Sequence, residues 1–558
     1  MTRYCIGVDF GTLSARAVLV NVDTGEIVCT SEYTYSKGVI EGHFLDGRLL
    51  DEGWALQDPM DYMEALVHAI RGIMADSRVR PEQVLGIGTD FTSSTMIPVR
   101  YTGTPLCYEE EFRLNPYAYA MLWKHHAAQA AANRINSLAY KLGEDWIKNY
   151  GGRISAEWGV PKLLQICEEA PEVYKNIEVY IEAVDWIVWQ LTGRECHSYT
   201  TMEFKTMWSQ EHGFPEPAFF AALHADFSNA IDKLGKNYLP AASCAGGLCE
   251  QMAKKLNLPA GIPVAVGMVD AYASLPAVGI AAPEELLLIL GTSVCEIMVE
   301  SNGVRVPGMC GLAKDGIIPG YYAHEAAQSA GGDLFSWYVR NYCTEAPEEA
   351  HYKMTHEASA LLPGQSGLVA LDWWNGNNCI LDDMDLSGIL FGLTLNTTRA
   401  EVYRALLESV AYGTRVNVEQ LQKHGIPIRR IVASGGISRK NQLLMQIYAD
   451  VLNMPIYVSS VSLGPALGSA MFAAVAVGKA GGGYDSIEEA SSRMGAPIAE
   501  VYYPETNAVD VYDQLFHIYM TLHDRFGLKE PELMYTLKKL KTENRRKENF
   551  ESNGDYTC

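Results

Sequence analysis

At 558 residues, 48 % of them hydrophobic, the chain is long enough for roughly two to four domains with cores of their own. Its 67 acidic against 44 basic residues leave a net charge of −23, which argues against a general affinity for DNA, RNA or anionic membrane surfaces. No apolar run reaches membrane-spanning length, and the 12 cysteines, with no Cys-x-x-Cys pair, fit reduced thiols in a cytoplasm better than a disulfide framework or a zinc site.

Residues 6–20 set two β-prone runs around a tight Gly11-Thr12 turn, with Asp9 at the end of the first run. Such a hairpin can cradle phosphate. Gly11 lets the backbone approach an anion, Thr12 and Ser14 add hydroxyls, Asp9 can hold a hydrated divalent cation, and Arg16 adds positive charge. An ordinary hairpin accounts for the same residues equally well until residues 286–299 write the pattern again: apolar run, Gly291-Thr292-Ser293, apolar run. Two cradles far apart in sequence point to two related halves facing one nucleotide.

After a Thr24-Gly25 turn, the pattern predicts a helix over 59–75 and a strand over 84–87, an α/β alternation. A polar loop of small residues, 88–96, follows that strand at its C-terminal end, where open α/β sheets bind ligands. Ser93 and Ser94 make it a candidate substrate loop, with a plain Ser/Thr turn as the alternative. Residues 110–240 read as largely helical, with 123–129 opening one helix and 184–189 inside another. Consecutive residues diverge by about 100° on a helix, so His125 and His126 do not share a metal. Asp185, among aromatics, reads as a buried, hydrogen-bonded carboxylate.

Residues 262–273 form a buried-type strand that ends in Gly-x-x-Asp and enters a helix. That places Asp270 at the mouth of the sheet, as an acid–base group, as the cap of the helix, or as both. In 429–441 an apolar strand runs into Ser434-Gly435-Gly436, a turn with no side chain to keep a base or ribose off the backbone, and a helix over 441–452 and a strand over 455–458 follow. Small residues in 466–478 predict a tightly packed core helix, and 504–527 reads as an amphipathic helix on the body. The basic runs Lys538-Lys539-Leu540-Lys541 and Arg545-Arg546-Lys547 read as a solvated face, and the last residues as disordered.

Taken together, Gly7-Val8-Asp9-Phe10-Gly11-Thr12, Gly267-Met268-Val269-Asp270-Ala271, Leu290-Gly291-Thr292-Ser293, and Ser434-Gly435-Gly436 followed by Asn441 resemble the FGGY carbohydrate kinases of the actin-like ATPase superfamily. Residues 88–96, 122–129 and 519–527 look like the subgroup that phosphorylates L-ribulose in L-arabinose breakdown. The resemblance runs to about Gly527. It implies an α/β fold of two ribonuclease-H-like domains around a central cleft: a sugar-binding FGGY N-terminal domain over 1–278 and an ATP-binding FGGY C-terminal domain over 279–485. A helix over 486–530 would pack on the body, ahead of a basic helical or disordered tail over 531–558.

The resemblance also implies ATP and Mg²⁺ as cofactors and transfer of phosphate to the terminal 5-hydroxyl of the ketose, with Asp270 as general base. Asp9 would place the Mg²⁺ through water. Gly11, Thr12, Ser14, Arg16, Gly291 and Thr292 would serve the phosphates, and Gly435, Gly436 and Asn441 the adenosine. Ser93 or Ser94, Lys205 and Glu325 would hold the sugar, with surface ion pairs or helix caps as the plainer roles of the last two. The expected partners are a sugar and ATP, with no nucleic acid or membrane; the oligomeric state, monomer or homodimer, stays open. So does the choice between L-ribulose and D-ribulose, xylulose, ribitol or glycerol. A partner-coupled actin-like ATPase is the reading from another class, and Asp270 speaks against it.

Overall fold

Glycine and β-branched residues shape the first hairpin, in which β1 (Tyr4–Phe10) and β2 (Ser14–Asn21) pair antiparallel around the Gly11-Thr12 turn, with Asp9 opposite Arg16. The computed structural model describes residues 2–554, with side chains through Asn544 except Thr542. A third strand, β3 (Ile27–Thr34), continues the meander. Helix α1 (Pro59–Ser77) starts where sequence reasoning puts it: Asp58 accepts the Met60 N–H at 2.9 Å and Pro59 occupies the first turn.

The chain returns as β4 (Val84–Phe91), parallel to β1, and this strand is longer than its apolar pattern indicates. Thr89 and Asp90 are polar yet buried, and Asp90 lies in register with Asp9, so four residues expected in a loop belong to the sheet. The loop proper is Thr92 to Thr95. Residues 123–128 also depart from the helix expected there. The Gly53 carbonyl accepts the N–H groups of His126 and Ala127, which holds the segment as turns, and the helix starts at Gln129.

Helices α2 (Gly159–Glu169) and α3 (Tyr199–Lys205) follow, then the short strands β5 (Cys244–Gly247), β6 (Pro263–Ala265) and β7 (Met268–Val269), and α4 (Asp270–Ala277). The first sheet runs β5-β6-β4-β1-β2-β3, with β7 also on β4. The second is built the same way. Strands β8 (Glu285–Leu290), β9 (Val294–Glu300), β10 (Gly311–Lys314) and β11 (Tyr322–Gln328) form an antiparallel set, joined by β12 (Arg430–Ser434), β13 (Ile456–Ser459) and β14 (Ile498–Tyr502) in the order β10-β11-β9-β8-β12-β13-β14. In each sheet the first strand of the hairpin pairs parallel with the strand that carries the next cleft residues, β4 or β12.

Around the second sheet lie α5 (Arg399–Lys423), α6 (Gln442–Leu452) and α8 (Thr506–Asp524), whereas α7 (Gly464–Val477) lies against β1 and β4 of the first. Small residues let α7 press onto the first half. A Cβ on Gly7 would lie 1.9 Å from the Ala466 carbonyl oxygen, one on Gly88 1.9 Å from that of Ser469, and one on Gly468 1.7 Å from that of Ala273 in α4. A hydrophobic core shared by β2, α4, β9 and α7 fuses the halves. Helix α8 packs on the body, where its Tyr519 hydroxyl donates to the buried Asp372 at 2.7 Å.

The last helix, α9 (Glu532–Gly554), is not merely a solvated basic face: Lys538 donates to the Met384 carbonyl at 2.9 Å and to Asp385 at 2.8 Å. The side chains of 545–547 and the expected terminal disorder lie outside the described residues. Asp185 is fully buried and accepts from the Ser198 N–H and the Thr201 hydroxyl.

Candidate active site

Between the halves lies a cleft of about 1350 Å³, and it gathers residues from both sheets. Of the side chains and turns singled out in the sequence, Thr12, Ser93, Ser94, Lys205, Asp270, Gly291, Thr292, Glu325, Gly435 and Gly436 line it. Gly11, Ser14, Arg16, Asp9 and Asn441 are not among its lining residues.

Local hydrogen bonds explain those five. The Gly11 N–H closes its own turn on the Ser14 carbonyl at 3.0 Å, as the Gly291 N–H does on the Ser293 carbonyl at 3.0 Å; in the first turn Thr12 faces the cleft, and in the second Gly291 and Thr292 do. The Ser14 hydroxyl donates to Glu32 at 2.6 Å. Arg16 stands across the hairpin from Asp9, to which it donates at 3.3 Å, and also reaches Glu32 at 3.2 Å. Asn441 accepts the Leu444 N–H at 3.0 Å and so caps α6 instead of facing the cleft.

Asp270 stands at the first position of α4, with its Oδ1 accepting the Ala271 N–H at 2.6 Å. The side chain does not cap the helix in the usual sense, since Val269 holds the cap position. Burial, then the nearby Asp9 charge, raises the Asp270 carboxyl to about 7, although the Ala271 hydrogen bond opposes this. Such a group takes up and releases a proton near neutral pH. Burial likewise raises Asp9, against the pull of Arg16.

Lys205, at the end of α3, donates to Glu325 of β11 at 2.6 Å, and the hydroxyl of Tyr272, two residues after Asp270 in α4, donates to the same carboxylate oxygen at 2.6 Å. Burial alone would lower the Lys205 ammonium, but the Glu325 carboxylate outweighs it and holds the group above its ordinary value. The Lys205 ammonium also lies 5.2 Å from the centre of the Trp158 ring. Tyr272 and Trp158 were not singled out in the sequence, because only the folded chain brings them to Lys205 and Glu325.

In the second half, Gly435 has φ +95°, and a Cβ there would sit 2.4 Å from the Leu290 carbonyl oxygen, so only glycine fits this turn between β12 and the following helical turn. At Gly436, by contrast, a Cβ would meet nothing within 4 Å. That bare backbone surface faces the cleft beside Arg439. The helix starting at Gly332 abuts the second cradle, with the Gly331 and Asp333 N–H groups donating to the Thr292 carbonyl at 2.9 and 3.1 Å.

Paired α/β halves with matching hairpin turns, a cleft between them and the buried carboxyl of Asp270 in its lining are the architecture of a two-domain enzyme of the actin-like ATPase fold. Residues 4–277 match the N-terminal domain, and residues 286–477 the C-terminal domain, of the FGGY family of carbohydrate kinases. The chain belongs to the FGGY family.

Among curated relatives, it is 45 % identical over 551 residues to a ribulokinase of Halalkalibacterium halodurans, covering 97 % of this chain and 98 % of the relative. It is 46 % identical over 539 residues to a ribulokinase of Bacillus licheniformis, covering 95 % and 98 %. Among solved structures, a xylulose kinase from Rhodospirillum rubrum matches with a TM-score of 0.76 at 23 % identity over 94 % of this chain and 99 % of that one. A gluconate kinase from Lactobacillus acidophilus matches with a TM-score of 0.78 at 18 % identity, over 96 % and 100 %. These structures share the fold. Among the described residues no helix is long and apolar enough to cross a membrane.

Proposed function

We propose that the protein transfers the γ-phosphoryl group of ATP to the 5-hydroxyl of L-ribulose, giving L-ribulose 5-phosphate and ADP, and that it does so in the cytoplasm. One observation carries the reading: a single cleft holds Asp270 together with the Lys205–Glu325 pair, the two Gly-Thr turns and the open backbone of Gly436. The near-complete coverage by ribulokinases supports the choice of ketose.

In this mechanism Asp270 accepts the hydroxyl proton as the sugar oxygen attacks the γ-phosphorus, and the bond from phosphorus to the β,γ-bridging oxygen breaks to release ADP. Lys205 and Glu325 present a charged donor and acceptor to neighbouring sugar hydroxyls, and Ser93 or Ser94 adds a polar contact. The turns at Thr12 and Thr292 face the phosphates, and Gly435 and Gly436 let the nucleoside lie on bare backbone.

Among the described residues no group of three or more His, Cys, Asp or Glu could cage a metal ion. A hydrated Mg²⁺ that arrives with the nucleotide keeps most of its waters and needs only one or two carboxylates, and Asp9, at the end of β1 just before the Gly11-Thr12 turn, is the carboxylate placed to serve it. Asp9 would hold it through water, and the ion would neutralise charge on the β- and γ-phosphates.

The test is ADP release with Mg-ATP and a panel of L-ribulose, D-ribulose, D-xylulose, ribitol and glycerol, against a control without sugar. Preferential turnover of L-ribulose is expected. Preference for glycerol or D-xylulose would overturn the substrate, and ATP hydrolysis indifferent to every sugar would overturn the kinase reading.

A further inference from the structure

Lysine is the side chain least suited to full burial, yet Lys162 in α2 is 0 % exposed. Its ammonium donates to two backbone carbonyls, that of Ser94 at 2.7 Å and that of Leu122 at 2.6 Å. Ser94 is one of the ten non-glycine residues with positive φ among those described, at +59°, a conformation that L residues adopt only when the surroundings impose it. A second buried charge lies beneath the loop that carries Ser94: Glu182, which is 3 % exposed at the end of the strand Val179–Glu182. Glu182 is itself in register with Met96, and the Ala183 N–H donates to the Thr95 carbonyl at 2.7 Å. The loop from Thr92 to Thr95 is therefore gripped from beneath, while Ser93 and Ser94 line the cleft above.

An apolar side chain could fill the space under this loop without the cost of desolvating an ammonium. It could not hold a carbonyl. The Leu122 carbonyl ties the same ammonium to the turn that carries Trp123, whose indole N–H donates to the Thr12 hydroxyl at 3.2 Å. One buried cation thus fixes two cleft walls, the serine loop and the Trp123 turn. Burial pushes the Lys162 ammonium down to about 7 and Glu182 up to about 8, and each is partly restrained by the other's charge.

We propose that Lys162 is a positioning residue for sugar recognition: it holds the Ser94 peptide in the left-handed conformation from which the loop meets the ketose. The inference rests on the sugar-kinase reading of the cleft. Lys162 touches neither substrate; it acts through the Ser94 and Leu122 carbonyls.

The test is steady-state kinetics of wild type and Lys162→Met, with sugar and ATP varied separately and melting temperatures recorded. Lys162→Met is expected to raise the sugar KM about tenfold or more while the ATP KM stays within about twofold. A purely structural lysine would shift both KM values and the melting temperature together, and that result would overturn the proposal. If Lys162→Met does not fold, Lys162→Gln, which keeps a donor without the charge, is measured in its place; an unchanged sugar KM in that variant overturns the proposal equally. Absence of ketose turnover by the wild type would instead remove the sugar-kinase reading beneath it.

Discussion

Lys205 and Glu325 are 120 positions apart in the chain and 2.6 Å apart in the fold, with side chains 6 % and 15 % exposed. One comes from a helix of the first half and the other from a strand of the second, so the pair exists only when the halves are assembled. Glu325→Gln leaves the ammonium without its counter-charge in a buried site, and breaking a buried pair of this kind costs about 3 kcal/mol. The expected outcome is a lower melting temperature together with a sugar KM raised about tenfold or more and an ATP KM little changed. Thermal unfolding and two-substrate kinetics on the same preparation check it.

Asp270→Asn keeps the shape of the side chain and removes its basicity. Turnover should fall by about 10²–10⁴, while ADP and sugar still bind with affinities close to those of wild type. Titration calorimetry beside single-turnover assays separates the two effects; a variant with most of its kcat intact would remove Asp270 as the base.

The pH profile follows from the same group. A base must be ionised to accept a proton, and burial holds the Asp270 carboxyl near 7, so the fraction ready to react falls as pH drops below that value. Turnover with saturating sugar and Mg-ATP should rise about tenfold per pH unit below the inflection and level off above it. A flat profile between about pH 5 and pH 8, measured at about half-unit steps, would place the proton transfer elsewhere.

Gly436→Leu tests the nucleotide side without disturbing the fold, because nothing stands within 4 Å of a Cβ there. Stability should stay within about 0.5 kcal/mol of wild type. The ATP KM should nevertheless rise about tenfold or more, with the sugar KM unchanged, because the new side chain takes the surface assigned to the nucleoside. Gly435→Ala is the contrasting variant: with φ +95° and a Cβ 2.4 Å from a backbone oxygen, it should lose stability by about 1–3 kcal/mol. Chemical denaturation of the two variants side by side distinguishes an open surface from a required turn.

The hairpins, the first long helix and the Gly-Gly turn were legible in the sequence because each depends on neighbours in the chain: a tight turn between β-prone runs, an Asp-Pro start, glycines after an apolar strand. What failed to show were features decided by distant partners. β4 runs on through Asp90 because Ser469 of α7 donates to that carboxyl at 2.6 Å, a partner 379 positions away. Ser14 bonds across the hairpin meander to Glu32, 18 positions on, a partner that its own turn does not reveal. Lys162 carries no mark in its local sequence, since a lysine in an amphipathic stretch reads as surface until two carbonyls from other segments are found against it.

The contact between α4 and α7 has a mechanical consequence. Gly468 brings the two helix backbones closer than any side chain would permit, so the two halves are joined there by an axle with almost no play. Asp270 begins one of these helices, three residues before Ala273, so the proton acceptor is anchored at the joint itself.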